Sequence, residues 1–404
     1  MWLICFIVKR PDRVCGFLSA FACWWCSRPE VLIFRPEAAQ SASALPGPNS
    51  QDLTRHGESA RGACGSVSGR VPPGSRGLQR KRRIPQSPSK TAVLLRFIMN
   101  FFLETIQVLL LSIWFNVESF IHLFVPRKKK NISGEVVLIT GAGSGIGRLM
   151  AQEFAALGTV LVLWDINKEG VKETARLAQS NGAVKVHHYV CDCSDKNEVY
   201  RVADQVKREV GDISILVNNA GIVTGKKFID SPDSLIEKTM EVNTMAHFWT
   251  YKAFLPAMIA NNHGHLVSIA SSAGLIGVNG LADYCASKFG AVGFAESVGL
   301  ELLAIGKDGV KTTIVCPYFI NTGMFDGCQT KWPTVLPILD PHYVVKKIVN
   351  AVLTDQVYLL LPRSMYIITA LKNVLPMKQG LLLGQYLGAF NLMDTFRGRS
   401  RKQD

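Results

Sequence analysis

Tyr284 and Lys288 stand four residues apart in the stretch YCASK. On a helix, residues at that spacing project from one face. A free tyrosine has a pKa of about 10 and is a poor base at neutral pH. A nearby ammonium stabilises the phenolate and lowers that pKa. A pair so placed can take the proton of an alcohol while hydride leaves the same carbon. The bland alternative is an exposed tyrosine beside a solvated lysine, and five residues do not decide between the two.

That chemistry needs a hydride acceptor, and the chain offers a place for one. TGAGSGIG, Thr140 to Gly147, follows an apolar run and precedes a helical one. Gly141, Gly145 and Gly147 permit a tight turn and close backbone approach, and the helix N-terminus behind them attracts a phosphate. Asp165 closes the next apolar run, eighteen residues past Gly147. A carboxylate there accepts both adenosine ribose hydroxyls and repels a 2′-phosphate. Neither Ser144 nor Ile166 supplies a basic group to welcome such a phosphate. NAD is the expected cofactor. A strand-end aspartate that merely caps a turn is the bland reading of Asp165.

These residues need elements to hold them. EVVLIT, TVLVLWD, VKVHHYV, ISILVNN, GHLVSIA and VKTTIVCP read as buried strands, and VYLLLP as a short last one. Helical stretches separate them, among them 145–157, 169–181 and 196–210. Alternating units with near-continuous apolar strands predict an α/β fold, a single Rossmann-type doubly wound parallel sheet covered on both faces.

Hydrophobic residues make up 48% of the 404-residue chain and charged ones 19%, with a mean hydropathy of +0.17. That is apolar for a soluble domain. The net charge is +14, but ten of those charges fall in residues 1–98. Nucleic-acid binding therefore draws no support from the fold-bearing part. Residues 1–98, rich in Ser, Gly, Pro and Arg, read as a disordered extension. Cys23 and Cys26 form a lone CxxC with no second pair nearby, so no metal site is expected. An apolar anchor is expected over residues 99–130. Its stretch Thr105 to Val125 covers roughly 31 Å as a helix, just enough to cross a bilayer. Gln107, Asn116, Glu118 and His122 interrupt it, which favours an anchor lying in one leaflet over a span. Arg127 to Lys130 would hold its end at cytosolic headgroups. The catalytic domain is assigned to residues 131–362. The apolar tail, 363–404, closes a hydrophobic pocket or touches the membrane.

The TGxxxGxG spacing, together with NNAG at Asn218 to Gly221, SIASSAG and YCASK, resembles the short-chain dehydrogenase/reductase family, from about Gly134 onward. Within it, GEVVLITGAGSGIGRLMAQEFA and NNAGIVTGKKF look like the membrane-bound retinol dehydrogenases. The resemblance implies a proton relay of Asn243, Ser271, Tyr284 and Lys288, with Ser271 thirteen residues before the tyrosine and holding the substrate oxygen. Ser272 is the alternative, and Ser268 reads as a strand residue. It also implies that Gly141, Ser144, Gly145, Ile146, Gly147, Asp165, Asp192, Asn218, Ala220, Gly221, Tyr284, Lys288 and Thr322 bind the cofactor, with Asp192 at the adenine. One motif departs: Tyr318 follows Pro317 where the family usually has glycine, so the backbone there must avoid left-handed angles. The implied activity is oxidation of a lipophilic alcohol, all-trans-retinol above all, at an endoplasmic reticulum or lipid-droplet surface, with the catalytic domain facing the cytosol. The family often pairs through its later helices, which implies a homodimer. A lipid-droplet hydroxysteroid dehydrogenase shares every motif, and a catalytically idle lipid-droplet scaffold is the reading from a different class.

Overall fold

A computed structural model of the chain describes residues 89–125 and 127–398. The extension expected over 1–98 lies outside the described residues up to residue 88. The rest of it does not belong to an extension, because α1 runs from Lys90 to Phe124. The reason is local. Ser89 follows Pro88, and its carbonyl accepts the Val93 N–H at 3.1 Å. No Pro or Gly interrupts the 35 residues that follow. Taken by itself, α1 exposes most of its large apolar side chains, with Val108, Leu111 and Phe115 half-buried. Its segment Val93–His122 has a mean hydropathy of 1.7 and is apolar and long enough to cross a membrane.

The unit Glu118–Asp404 carries seven parallel strands in the order β3-β2-β1-β4-β5-β6-β7. They are β1 Val136–Thr140, β2 Val160–Asp165, β3 Lys185–Val190, β4 Ile215–Asn218, β5 Gly264–Ile269, β6 Val310–Pro317 and β7 Tyr358–Leu361. Each lies within the run read from the sequence. The apolar runs have no polar face because the central strands are buried on both sides: β4 and β5 are buried at every residue.

Helices cover both faces. On one side lie α2 Gly145–Ala155, α3 Lys168–Ser180 and α8 Pro341–Leu353, packed on Ile139, Leu163 and Val217. On the other lie α4 Lys196–Glu209, α6 Ala246–Asn261 and α7 Ala282–Ala304, packed on Leu138, Val162 and Leu216. α5, Asp233–Met240, leads into α6 through a π-helical turn at Glu241–Met245. Side-chain caps set where several helices begin. Asn167 accepts the Gly170 N–H at 2.9 Å, Asp195 the Asn197 N–H at 2.8 Å, and Asp340 the Tyr343 N–H at 2.8 Å. The tail forms α9, Ser364–Val374, and α10, Met377–Tyr386.

Strand order reverses between β1 and β4. In an open α/β sheet, ligands bind in the crevice beyond the carboxyl ends of strands at such a point. The glycine loop follows β1 there, and NNAG straddles the end of β4.

Candidate active site

The glycine loop is shaped by contacts that exclude side chains. Gly141 has φ +64°, and a Cβ on it would come within 2.8 Å of the Ala220 Cα. At Gly147 a Cβ would overlap the Gly141 carbonyl oxygen. At Gly145, with φ +55°, a Cβ would meet only the Thr322 side chain, at 3.8 Å. The loop is therefore packed against Asn219 and Ala220, just past β4, behind and open towards Thr322 in front, as a nucleotide cradle must be. Ser144 stands at the N-cap position of α2, with half-buried Ile146 in its first turn. That turn's N–H groups and partial positive charge suit a phosphate.

Asp165 sits at the rim of this cradle. Its carboxylate accepts the Gly143 N–H at 2.7 Å and the Asn167 N–H at 2.8 Å. It caps the turn after β2 and braces the loop as well. Arg148 donates to the carbonyls of Gly143 and Gly170 at 2.5 and 3.3 Å. Asp192, just past β3, accepts from the Ser194 hydroxyl at 2.6 Å and from Lys238 at 3.1 Å. Burial pushes its carboxyl up, but the Ser194 and Lys238 bonds outweigh this and hold it below its ordinary value.

The two asparagines of NNAG divide the work, because neighbouring residues on an extended chain point to opposite sides. The Asn218 side chain turns into the core and pairs with the Thr250 hydroxyl at 2.8 and 3.0 Å. Asn219, missed in the sequence, donates to the carbonyls of Thr140 and Gly141 at 2.9 and 3.1 Å. The Thr140 hydroxyl in turn accepts the N–H groups of Asn219 and Ala220 at 3.0 and 3.1 Å. The alternation at the end of β4 was the available signal. Gly221 is small for a reason: a Cβ there would lie 3.3 Å from the Asn243 Oδ1 and 3.6 Å from the Lys288 Nζ.

Ser271, Tyr284 and Lys288 are brought together beyond β4 and β5, all buried. Tyr284 and Lys288 share a face of α7, with the ammonium 5.8 Å from the phenol ring centroid and bonded to the Ile269 carbonyl at 2.9 Å. Ser271 opens a short 3-10 turn and accepts the Ala273 N–H at 3.1 Å. A hydrogen bond with Ser271 pulls the Tyr284 phenol down, against a larger upward push from burial. Ser268 is fully buried in β5, bonded to the Tyr251 hydroxyl at 3.0 Å.

The expected lowering of the Tyr284 pKa by Lys288 is not what the surroundings produce. Burial dominates, and the phenol sits above its usual range. Burial also pushes Lys288 down to about 8, with Cys316 pulling the other way. Asn243 lies in the π-helical turn. Its side chain accepts the Ile222 N–H at 2.8 Å, and donates to the Ile222 carbonyl at 2.9 Å and to the Ser287 hydroxyl at 3.0 Å. Ser287, which the sequence left without a role, donates on to the Tyr284 carbonyl at 2.8 Å. The asparagine side chain is thus occupied in fixing the β4 loop to α7.

The substrate side is aromatic. Phe325 packs edge-on against Tyr284 with ring centroids 5.7 Å apart, and Phe319 lies 4.9 Å from Phe325. Tyr318 is buried, and its φ is not positive, as expected of a residue replacing glycine. Among the described residues no group of His, Cys, Asp or Glu is placed to hold a metal ion.

Comparison with known proteins gives the family. Residues 135–331 match the short chain dehydrogenase family. The chain is 62% identical over 286 residues to epidermal retinol dehydrogenase 2 of Mus musculus, covering 71% of this chain and 93% of that protein. It is 46% identical over 335 residues to retinol dehydrogenase 10-B of Xenopus laevis, covering 76% and 97% respectively. A short chain dehydrogenase/reductase from Burkholderia phymatum, crystallised in complex with NAD, superposes with a TM-score of 0.55 at 26% identity, covering 60% of this chain and 94% of that one. A glycine cradle at the β1–β4 crevice, a buried Ser–Tyr–Lys set and relatives this similar along nearly their whole length lead to one conclusion: the chain belongs to the short-chain dehydrogenase family, and it is an oxidoreductase.

Proposed function

We propose that this chain is a membrane-associated, NAD-dependent dehydrogenase that oxidises a lipophilic alcohol, all-trans-retinol, to its aldehyde. One observation carries the reading: Ser271, Tyr284 and Lys288 are buried together under an aromatic wall, in a chain 62% identical to a retinol dehydrogenase. The cradle fits a dinucleotide, since Gly145 opens towards Thr322 and Gly221 leaves room beside Lys288. Gly141, Gly145, Gly147, Thr322 and Lys288 would hold it, with Asp165 at the ribose and Asp192 at the adenine. Asp165 favours NAD, because a 2′-phosphate would meet its carboxylate.

When bound, NAD supplies the hydride acceptor. The chain's own part is the proton and the geometry. Ser271 hydrogen-bonds the alcohol oxygen, and Tyr284 takes its proton. Lys288 stabilises the phenolate by its charge, and Asn243 and Ser287 fix the β4 loop beside it. Phe325 and Phe319 keep water from the reacting carbon and favour an apolar substrate.

α1 supports membrane attachment. Asn100, Glu104, Gln107, Glu118 and His122 fall within one arc of about 60° on a helical projection, with Leu111 among them. The opposite face carries Phe102, Ile106, Ile113, Val117 and Phe120, together with Asn116, whose amide donates back to the Ser112 carbonyl at 2.7 Å. Such a helix lies in one leaflet with its polar ridge at the headgroups. The endoplasmic reticulum membrane or a lipid droplet, with the catalytic domain on the cytosolic side, is the proposed location. A homodimer is also proposed. An apolar groove of about 280 Å³ between α6 and α7 is lined by Phe248, Leu255, Ile259, Phe294 and Val298.

The deciding experiment is NADH formation by membranes containing the chain, across retinoid, steroid and fatty alcohols. Retinol should be turned over fastest, and Tyr284→Phe should lower turnover by about 10²- to 10⁴-fold. Full activity in Tyr284→Phe removes the catalytic assignment, and faster steroid turnover removes the retinol assignment.

A further inference from the structure

The tail helices present their apolar residues outward. In α9, Ile367, Leu371 and Val374 recur at i, i+4 and i+7, and all are exposed, Val374 to 80%. In α10, Met377 is 77% and Leu382 67% exposed, and no side chain of the helix is buried. A surface helix of a water-soluble domain turns such a stripe inward, and an exposed apolar face of this extent marks a contact site.

This face is firmly mounted. Lys372 donates to the Leu275 carbonyl at 2.6 Å, Ser364 to the Val335 carbonyl at 2.6 Å, and the Trp332 indole to the Tyr386 carbonyl at 2.8 Å. Its charge is one-sided. No Asp or Glu occurs between Asp355 and Asp394, whereas Arg363, Lys372 and Lys378 do. At the end of α10 the rings of Trp332 and Tyr386 lie 5.5 Å apart, with the Lys331 ammonium 5.9 Å from each. Tryptophan, tyrosine and lysine together are the side chains that settle at a membrane–water boundary.

We propose that α9 and α10 form a lipid-docking face, a second membrane contact separate from α1, suited to an anionic phospholipid surface. The uniform positive charge selects that occupant over a second copy of the chain, whose identical face would be repelled. The segment following α10 returns onto the catalytic domain. Leu392 and Met393 are buried, the Met393 sulfur lies 3.4 Å from the Cys328 sulfur, and the Phe396 ring fills the space in front of Gly225. Docking therefore holds the catalytic domain against lipid, where a water-insoluble alcohol resides.

The test uses the full chain in vesicles of phosphatidylcholine and phosphatidylserine that include a phospholipid with a photoreactive diazirine in its acyl chain. After irradiation, labelled peptides are mapped by mass spectrometry. Label is expected in α1 and in residues 364–386. The double variant Leu381→Asp, Leu382→Asp should lose about tenfold or more of the label in α9 and α10 while keeping that in α1. Both residues are exposed, so an unchanged circular dichroism spectrum shows that the fold is retained. Replacing phosphatidylserine by phosphatidylcholine should weaken the α9–α10 label severalfold. Label confined to α1, equal label in the double variant, or indifference to phosphatidylserine would each overturn the proposal. The readout is lipid contact, so a negative result leaves the dehydrogenase reading standing, and an inactive enzyme leaves this one standing.

Discussion

Asp165→Asn separates two roles that the structure gives one carboxylate. Its oxygens accept the N–H groups of Gly143 and Asn167 at 2.7 and 2.8 Å. An asparagine can keep one of these bonds, but its amide nitrogen then faces the other N–H, donor against donor. The loop offers no slack, since a Cβ on Gly143 would already lie 2.8 Å from the Asp165 carboxyl carbon. An unmet donor at such a place costs about 1–3 kcal/mol. At roughly 2–4 °C per kcal/mol for a domain of this size, the melting temperature should fall by about 2–12 °C. The second role is electrostatic. Two unit charges 4 Å apart repel by about 1 kcal/mol in bulk water and about 4 kcal/mol near a protein surface. Neutralising Asp165 should therefore shift the ratio of kcat/KM for NAD over NADP towards NADP by about tenfold or more. The assay is retinol-dependent reduction of each cofactor, with melting followed in parallel by circular dichroism. A lowered melting temperature with an unchanged cofactor ratio would refute the reasoning, because Asp165 would then be only a cap on the loop.

Three further outcomes follow from the site. Alcohol oxidation needs Tyr284 free of its proton and Lys288 carrying one; Lys288 titrates at about 8, below the raised phenol. In the free enzyme kcat/KM should thus climb about tenfold per pH unit up to about 8 and then level off. Lys288→Arg, charged throughout, should move that break upward, and a break that stays put would remove Lys288 from the titration. Phe325→Ala opens space beside Tyr284 and should change the retinol-to-steroid ratio of kcat/KM by about tenfold or more in favour of the bulkier alcohol; an unchanged ratio would show that Phe325 does not shape the pocket. Leu255→Asp places a charge in the groove between α6 and α7 and should halve the mass of the detergent-solubilised particle by light scattering, whereas a particle of unchanged mass rules the groove out as the dimer contact.

The sequence by itself determined the parts whose identity is their function. Glycines at 141, 145 and 147, an aspartate closing the second strand and a Tyr–Lys pair at i, i+4 are legible because backbone geometry and helical spacing are local properties. The strands were legible too, since a sheet covered on both faces leaves each strand a continuous apolar run. Which of two adjacent asparagines braces the loop was not legible, because the choice depends on the pleat at the end of β4 and on Thr250, thirty-two positions away. Ser271 was preferred to Ser272 by its spacing of thirteen residues from Tyr284, whereas the burial of both serines beside the site is a product of the fold. The direction of the Tyr284 shift also came from tertiary structure: spacing puts a lysine nearby, but only packing by α7, Phe325 and the β6 loop sets how much water the phenol loses. The outward apolar face of α9 and α10 was decided in the same way. Their composition is that of a core, and only the fold, whose strands are already covered by other helices, leaves them on the surface.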